Sequence, residues 1–216
     1  MSFQYECLKP QEFMKTYNAE YADSKPQNLE SFKAKVEQYL ESLEAHKNQN
    51  EKGIVSNALM PFLQGLGFQA QVAYKHQANS EIDCALLKDS QVEVIIEAKK
   101  PENNKEMFSP NNPNCKALHE CILYYLRERK GENQNLTRNA SVRYILITDF
   151  YQFYIFNALA FKKCFEDNKE IQKLYKKLYE KGSLIENQND FYKELSQILD
   201  SSAGGGGKSI PSRHKL

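Results

Sequence analysis

Between residues 29 and 43 the apolar side chains Leu29, Phe32, Val36, Tyr39, Leu40 and Leu43 recur at steps of three and four, with lysine and glutamate between them. That period is helical and predicts an amphipathic helix. A polar break at Asn48-Gln49-Asn50 separates it from a second series, Ile54, Val55, Ala58, Leu59, Phe62, Leu63 and Leu66, closed by Gly65 and Gly67. Pro61 falls inside this second pattern. Having no backbone donor, it is expected to kink or restart the helix.

The period then changes. Residues 68–74, 82–88 and 92–99 are short runs rich in apolar and β-branched side chains, which predicts three strands. Asp89-Ser90-Gln91 reads as the hairpin loop between the last two. A polar loop rich in proline and asparagine, residues 101–114, leads to a helix at 116–129 and two further strands at 142–148 and 153–157. Residues 158–199 read as charged helices that bury Leu174, Leu178, Phe191, Leu195 and Leu199. The order predicts an α/β fold, a central β-sheet flanked by helices, with additional N- and C-terminal helices. Residues 1–50 would form a helical extension packing on the core, 51–160 the core, 161–200 a helical segment and 201–216 a flexible Gly-rich tail. Within that tail Gly204-Gly205-Gly206-Gly207-Lys208-Ser209 imitates a phosphate-binding loop. It lacks the glycine required at Ser202, the preceding strand and the following helix, so that reading is rejected.

Composition narrows the class. The 216 residues are 41% hydrophobic and 12% aromatic, which suits one folded domain with extensions. No apolar run approaches the roughly 20 residues that span a bilayer, and the start MSFQYECLKP lacks the basic and apolar regions of an export signal. A soluble, cytoplasmic protein without a membrane partner is expected. The five cysteines contain no CxxC pair, which encourages neither a disulfide framework nor a zinc site. A net charge of +1 permits nucleic-acid binding without arguing for it.

The chemistry concentrates in Ser80-Glu81-Ile82-Asp83 and in Val94-Ile95-Ile96-Glu97-Ala98-Lys99-Lys100-Pro101. Glu97 and Lys99 stand two apart on a strand, so their side chains leave the same face. A three-residue loop at 89–91 would pair Lys88 with Val92 and bring Asp83 opposite Glu97. A two-residue loop would spoil this unless a bulge restored the register. The same register would put Cys84, Leu86, Val92, Val94, Ile96 and Ala98 on the opposite, apolar face. Two adjacent carboxylates repel one another until a hard divalent cation with oxygen ligands removes the penalty, and magnesium is the natural occupant. Such an ion activates water and neutralises a leaving oxygen, while Lys99 would orient the water or stabilise the transition state.

Asp83 followed by Glu97-Ala98-Lys99 on a hairpin, with a helix before and a helix plus strands after, resembles the PD-(D/E)XK nuclease superfamily across residues 45–160. The blocks SEIDCALL, EVIIEAKKP, KALHECILYYLRER and ILITDFYQFYIF are similar to the N-terminal endonuclease domain of type IIG restriction-modification enzymes. The resemblance implies a restriction-endonuclease-like core with a mixed sheet. It also implies magnesium, replaceable by manganese, and hydrolysis of phosphodiester bonds in double-stranded DNA. Asp83, Glu97 and Lys99 would be catalytic, with Asp83, Glu97 and Glu51 as metal ligands. Glu120 would take the place of a supporting glutamine, with Lys116 along the same helical face. Ile82 stands where the superfamily name has proline. No Asn-Pro-Pro-Tyr motif and no S-adenosylmethionine loop is present, so methyltransferase and target-recognition domains, with that cofactor, would lie in a longer chain or in separate subunits. A transient dimer on DNA would give a double-strand break.

Plainer readings stand beside these. Glu51 can complement a helix dipole, and Glu120 can be an ordinary surface charge. Arg127, Arg129, Lys130, Arg138 and Arg143 can touch phosphates or merely solubilise a helix end. Lys100 ends its strand in solvent, His119 is structural, and the aromatic run 150–156 packs in the core. As alternatives in function, the chain could be a nuclease-like DNA-binding or assembly module that does not cleave, or a DNA repair nuclease.

Overall fold

In a computed structural model of the chain, the described residues are 3–6, 8–9, 11–12, 15, 26–76, 80–130, 139–180, 187–202 and 208–211. Strand β1 (Phe3–Glu6) precedes helix α1 (Pro26–His46). Helix α2 follows in three segments: Glu51–Ile54, a π-helical turn at Val55–Leu59, and Met60–Gly65. Then come β2 (Gln69–His76), β3 (Ser80–Lys88), β4 (Gln91–Ala98), α3 (Lys116–Lys130), β5 (Tyr144–Thr148) and β6 (Phe153–Asn157). Helix α4 runs through Ala158–Phe161 into a π turn at Lys162–Glu166, and α5 (Lys169–Lys177), α6 (Gln188–Ser202) and β7 (Lys208–Pro211) close the chain.

The fold is α/β, with a mixed five-stranded sheet in the order β2-β3-β4-β5-β6. Every neighbouring pair is antiparallel except β4 with β5, and α3 makes the crossover that a parallel pair requires. Both central strands are covered on both faces, which explains their nearly unbroken apolar runs. On one face Ala85, Val92, Ile95, Ile145 and Ile147 meet Leu118 and Ile122 of α3. On the other Cys84, Leu86, Ile96 and Ala98 meet Leu59 of α2 and Tyr39 and Leu43 of α1. Helix α1 therefore completes the core. Of the residues in its apolar pattern, Leu29, Phe32 and Leu40 are exposed instead. No helix among the described residues is long and apolar enough to cross a membrane.

The hairpin differs from the expected three-residue loop. Lys88 pairs with Gln91, leaving a turn of Asp89 and Ser90, both at positive φ (50° and 62°), the signature of the tight turns that match strand twist. The register then shifts between Leu86 and Leu87, because Leu87 pairs with Val92 while Leu86 pairs with Val94. Glu93 is the extra residue of a β-bulge, and it restores the alignment that the shorter turn would have lost. The bulge is held from outside: the Arg143 amide donates to the Glu93 carbonyl (2.8 Å), and Asn139 Nδ2 to the Val92 carbonyl (3.1 Å). One consequence corrects the expected facing. Val92 lies before the bulge and is buried on the α3 face, while Cys84, Leu86, Ile96 and Ala98 are buried on the other.

Pro61 does not break α2. The π turn precedes it, and the carbonyl its missing N–H would have served, that of Asn57, accepts a hydrogen bond from the Ser42 hydroxyl at 2.8 Å. The C-terminal tail also departs from expectation. Residues 208–211 form a strand that pairs in parallel with β1, Phe3 aligning with Lys208 and Glu6 with Pro211. Four residues behind a glycine run are too few to show a period, which is why the sequence reads there as a linker.

Ser90 pays for its left-handed conformation, so Ser90→Gly is expected to stabilise the chain by about 1 kcal/mol. Urea denaturation checks this, and an unchanged midpoint would mean that the turn is not strained at that position.

Candidate functional site

The site lies where β4 ends. Beyond the last ladder pair, Cys84 with Ile96, strand β3 parts from β4, and the Asp83 carboxylate takes the Ala98 amide (2.9 Å) that the ladder no longer uses. The Glu97 carboxylate, on the last turn of the β4 pleat, is almost fully buried. Lys99 follows one residue beyond the strand, and its amide continues the parallel ladder by donating to the Thr148 carbonyl (2.9 Å). Its ammonium, only 5% exposed, is ion-paired with Glu97 and lies 2.8 Å from Glu120 Oε2 on α3. Glu51, in the first turn of α2, accepts the Lys100 amide at 3.1 Å. Asp83, Glu97, Lys99, Glu51 and Glu120 are thus brought together from four elements.

Burial sets the electrostatics. Desolvation pushes the Asp83 carboxyl above its usual range, against the Ala98 amide and the Lys99 charge, which favour ionisation. Glu97 is raised well above, by burial first and then by Asp83 and Glu120. Burial alone would lower the Lys99 pKa; Glu97 and Glu120 outweigh it and keep the ammonium charged. Around one ammonium there is therefore an excess of carboxylate. Among the described residues no donor side chain or amide reaches the buried Glu97 Oε2, and the neighbouring Glu120 carboxyl, by charge and by hydrogen bonding, favours the protonated form of Glu97. As the side chains stand, no group of three His, Cys, Asp or Glu among the described residues is set to hold a metal ion. The reason is visible: Lys99 draws Glu97 and Glu120 to itself, while Asp83 and Glu51 are turned onto backbone amides.

Glu120 is no ordinary surface charge; its side chain is 12% exposed and faces Lys99. Lys116, one turn earlier, lies 3.9 Å from Glu120 Oε1 and 3.3 Å from Glu106 Oε1. Glu106, which no motif singled out, also accepts from Asn103 Nδ2 (3.0 Å). A loop glutamate ten residues before its lysine carries no periodic signal.

The basic residues that could touch phosphates or solubilise the helix end are largely engaged within the fold. Arg127 is buried and donates from Nε to the Tyr179 hydroxyl (3.0 Å), and Arg129 pairs with Glu166 (3.2 Å), so both brace α3 against the C-terminal helices. Lys130 ends the helix half-buried. Arg143 pairs with Glu93 beside the bulge, and Arg138 lies outside the described residues. His119 is structural: its Nε2 lies 2.6 Å from Asn114 Oδ1, and burial lowers its pKa to about 4. Asn114 in turn donates to the Ser196 carbonyl and to Asp200 on α6.

Residues 8–204 match the family model described as a domain of unknown function (DUF7149), and the chain belongs to that family. No curated protein and no solved structure matches it.

A carboxyl whose folded pKa is raised favours folding below its unfolded pKa, and that contribution disappears as pH climbs through the folded value. For Glu97 the loss begins near its ordinary value of 4.5 and continues well above it. Glu97→Gln is therefore expected to raise Tm at neutral pH and to flatten its decline with pH. Lys99→Met leaves the buried carboxylates unpaired and is expected to cost about 3–5 kcal/mol. Thermal melts from about pH 4 to pH 9 distinguish the two. Equal losses in both variants would show that the Glu97 carboxylate is a net stabiliser.

Proposed function

We propose that this chain is a divalent-cation-dependent nuclease of PD-(D/E)XK type, the endonuclease domain of a restriction-modification system, hydrolysing phosphodiester bonds in double-stranded DNA. The observation that carries the reading is the assembly of Asp83, Glu97 and Lys99 at one strand end, with Glu97 Oε2 buried and, among the described residues, lacking a donor. The residues fit a hard cation: Asp83, Glu97 and Glu51 offer carboxylate oxygens, and their mutual repulsion is what a cation would relieve. Magnesium, with manganese as substitute, would lower the pKa of bound water and neutralise charge on phosphoryl oxygens.

The chain's own residues supply the rest. Lys99, held charged by its carboxylate neighbours, presents a compact cation to a phosphoryl oxygen or to the attacking water. Glu120 positions that ammonium, and Lys116 and Glu106 extend the charge chain outward. Methyltransferase and target-recognition functions, with S-adenosylmethionine, belong in this reading to a longer chain or to partner subunits. The alternative reading is a nuclease-like DNA-binding or assembly module that does not cleave.

Calorimetric titration of manganese, with and without duplex DNA, joined to a plasmid-nicking assay, separates them. Wild type is expected to bind and nick, whereas Asp83→Ala and Glu97→Ala lose both. Lys99→Ala keeps metal but loses about 100-fold in rate or more. Absence of metal binding even with DNA would replace this reading with the binding module.

A further inference from the structure

A second feature lies on the other side of the Glu51–Lys100 hydrogen bond. A cavity of about 160 Å³ opens beyond the carboxyl ends of the parallel strands β4 and β5, the place where α/β sheets hold ligands. Pro101 and Glu102 line it from the chain leaving β4, Phe150 and Tyr151 from the turn leaving β5, and Leu43, Lys47 and Ile54 from α1 and α2. Ile54 sits one turn from Glu51, and Pro101 two residues from Lys99, so the cavity lies at the same end of the sheet as the carboxylate cluster, on the α1–α2 face.

Its walls are apolar and aromatic, and Lys47, paired with Glu44, stands among them. Tyr151 is 45% exposed. Among the described residues neither the Tyr151 hydroxyl nor the Glu102 carboxylate has a hydrogen-bond partner. The turn that presents Tyr151 is nevertheless rigid. Asp149 accepts from the Tyr151 amide (3.0 Å), the Gln152 amide (2.6 Å) and Gln152 Nε2 (3.1 Å). Thr148 Oγ1 accepts from the Phe150 amide (2.8 Å), and the buried Tyr39 hydroxyl donates to the Phe150 carbonyl (2.8 Å). These bonds hold Phe150 at φ 74°, a conformation that bulky side chains rarely adopt. The backbone that carries Tyr151 is thus fixed at the rim of the cavity.

We infer that this cavity binds a single pyrimidine base of the nucleic-acid substrate, cytosine by preference, unstacked next to the site of cleavage. The size fits, since an apolar cavity of about 150 Å³ holds one benzene ring. Tyr151 provides a stacking face. The exposed Glu102 carboxylate accepts from an exocyclic amine, which cytosine has and uracil and thymine lack. Lys47, already paired with Glu44 at the rim, stands where a phosphate would follow the base. The identity of the substrate as nucleic acid rests on the nuclease reading, whereas occupancy of the cavity by a base can be measured without it.

The test is saturation-transfer NMR on the full chain without metal, with cytidine 5′-monophosphate and uridine 5′-monophosphate as probes. Saturation is expected on the cytosine ring protons, lost in Tyr151→Ala. In Glu102→Gln cytidine affinity is expected to fall about tenfold, the loss of one charge-assisted hydrogen bond, while the weaker uridine signal does not change. Both residues are exposed, and an unchanged melting curve confirms that each variant folds. Ring saturation that survives Tyr151→Ala, saturation confined to ribose, or no saturation at all overturns the inference. If base binding is present but manganese binding and nicking are not, the nuclease reading falls alone. If nicking proceeds equally in wild type and Tyr151→Ala and the ring protons stay silent, the base pocket falls alone.

Discussion

The hairpin of β3 and β4 has to meet two demands that conflict, a turn of two residues and an alignment that sets Asp83 against the end of β4. Without the extra residue at Glu93, every side chain from Val94 to Lys99 would move by one place relative to β3, and the carboxylates would leave one another. The bulge resolves the conflict, and the structure spends several contacts to keep it. Arg143 holds Glu93 through both backbone and side chain, and Asn139 occupies the Val92 carbonyl. Both clamps come from the segment that leads into β5, so docking of the parallel strand also sets the register of the hairpin.

What the register assembles is electrostatically unfavourable. Three acids, Asp83, Glu97 and Glu120, share the neighbourhood of one ammonium in a largely dehydrated place. A core selected for stability alone would replace them with apolar groups. Concentrating them at one strand end is the kind of local compromise that folds carry at sites of chemistry.

Much of this was readable in the chain. The change from steps of three and four to short β-branched runs located every element of the central sheet, and a period of two put Glu97 and Lys99 on one face. What could not be read depends on distant partners. Glu120 looked like a surface charge because Lys116, Arg127 and Arg129 share its helix. Yet that helix is enclosed by the sheet and by Phe161, Phe165, Phe191 and Leu195. Arg127 and Arg129 find Tyr179 and Glu166 across 52 and 37 residues, separations at which no local pattern survives. The bulge was foreseeable only as a condition, since turn length and register cannot both be deduced from a run of valines and isoleucines.

The junction of α3 with α6 has a mechanical meaning. Asn114 grips Ser196 and Asp200 with its amide nitrogen and His119 with its oxygen, and His119 precedes Glu120. Helix α6 is therefore a lever with its fulcrum at the helix that carries Glu120. A displacement of that lever would reach, through Asn114 and His119, the residue next to the carboxylate that holds Lys99.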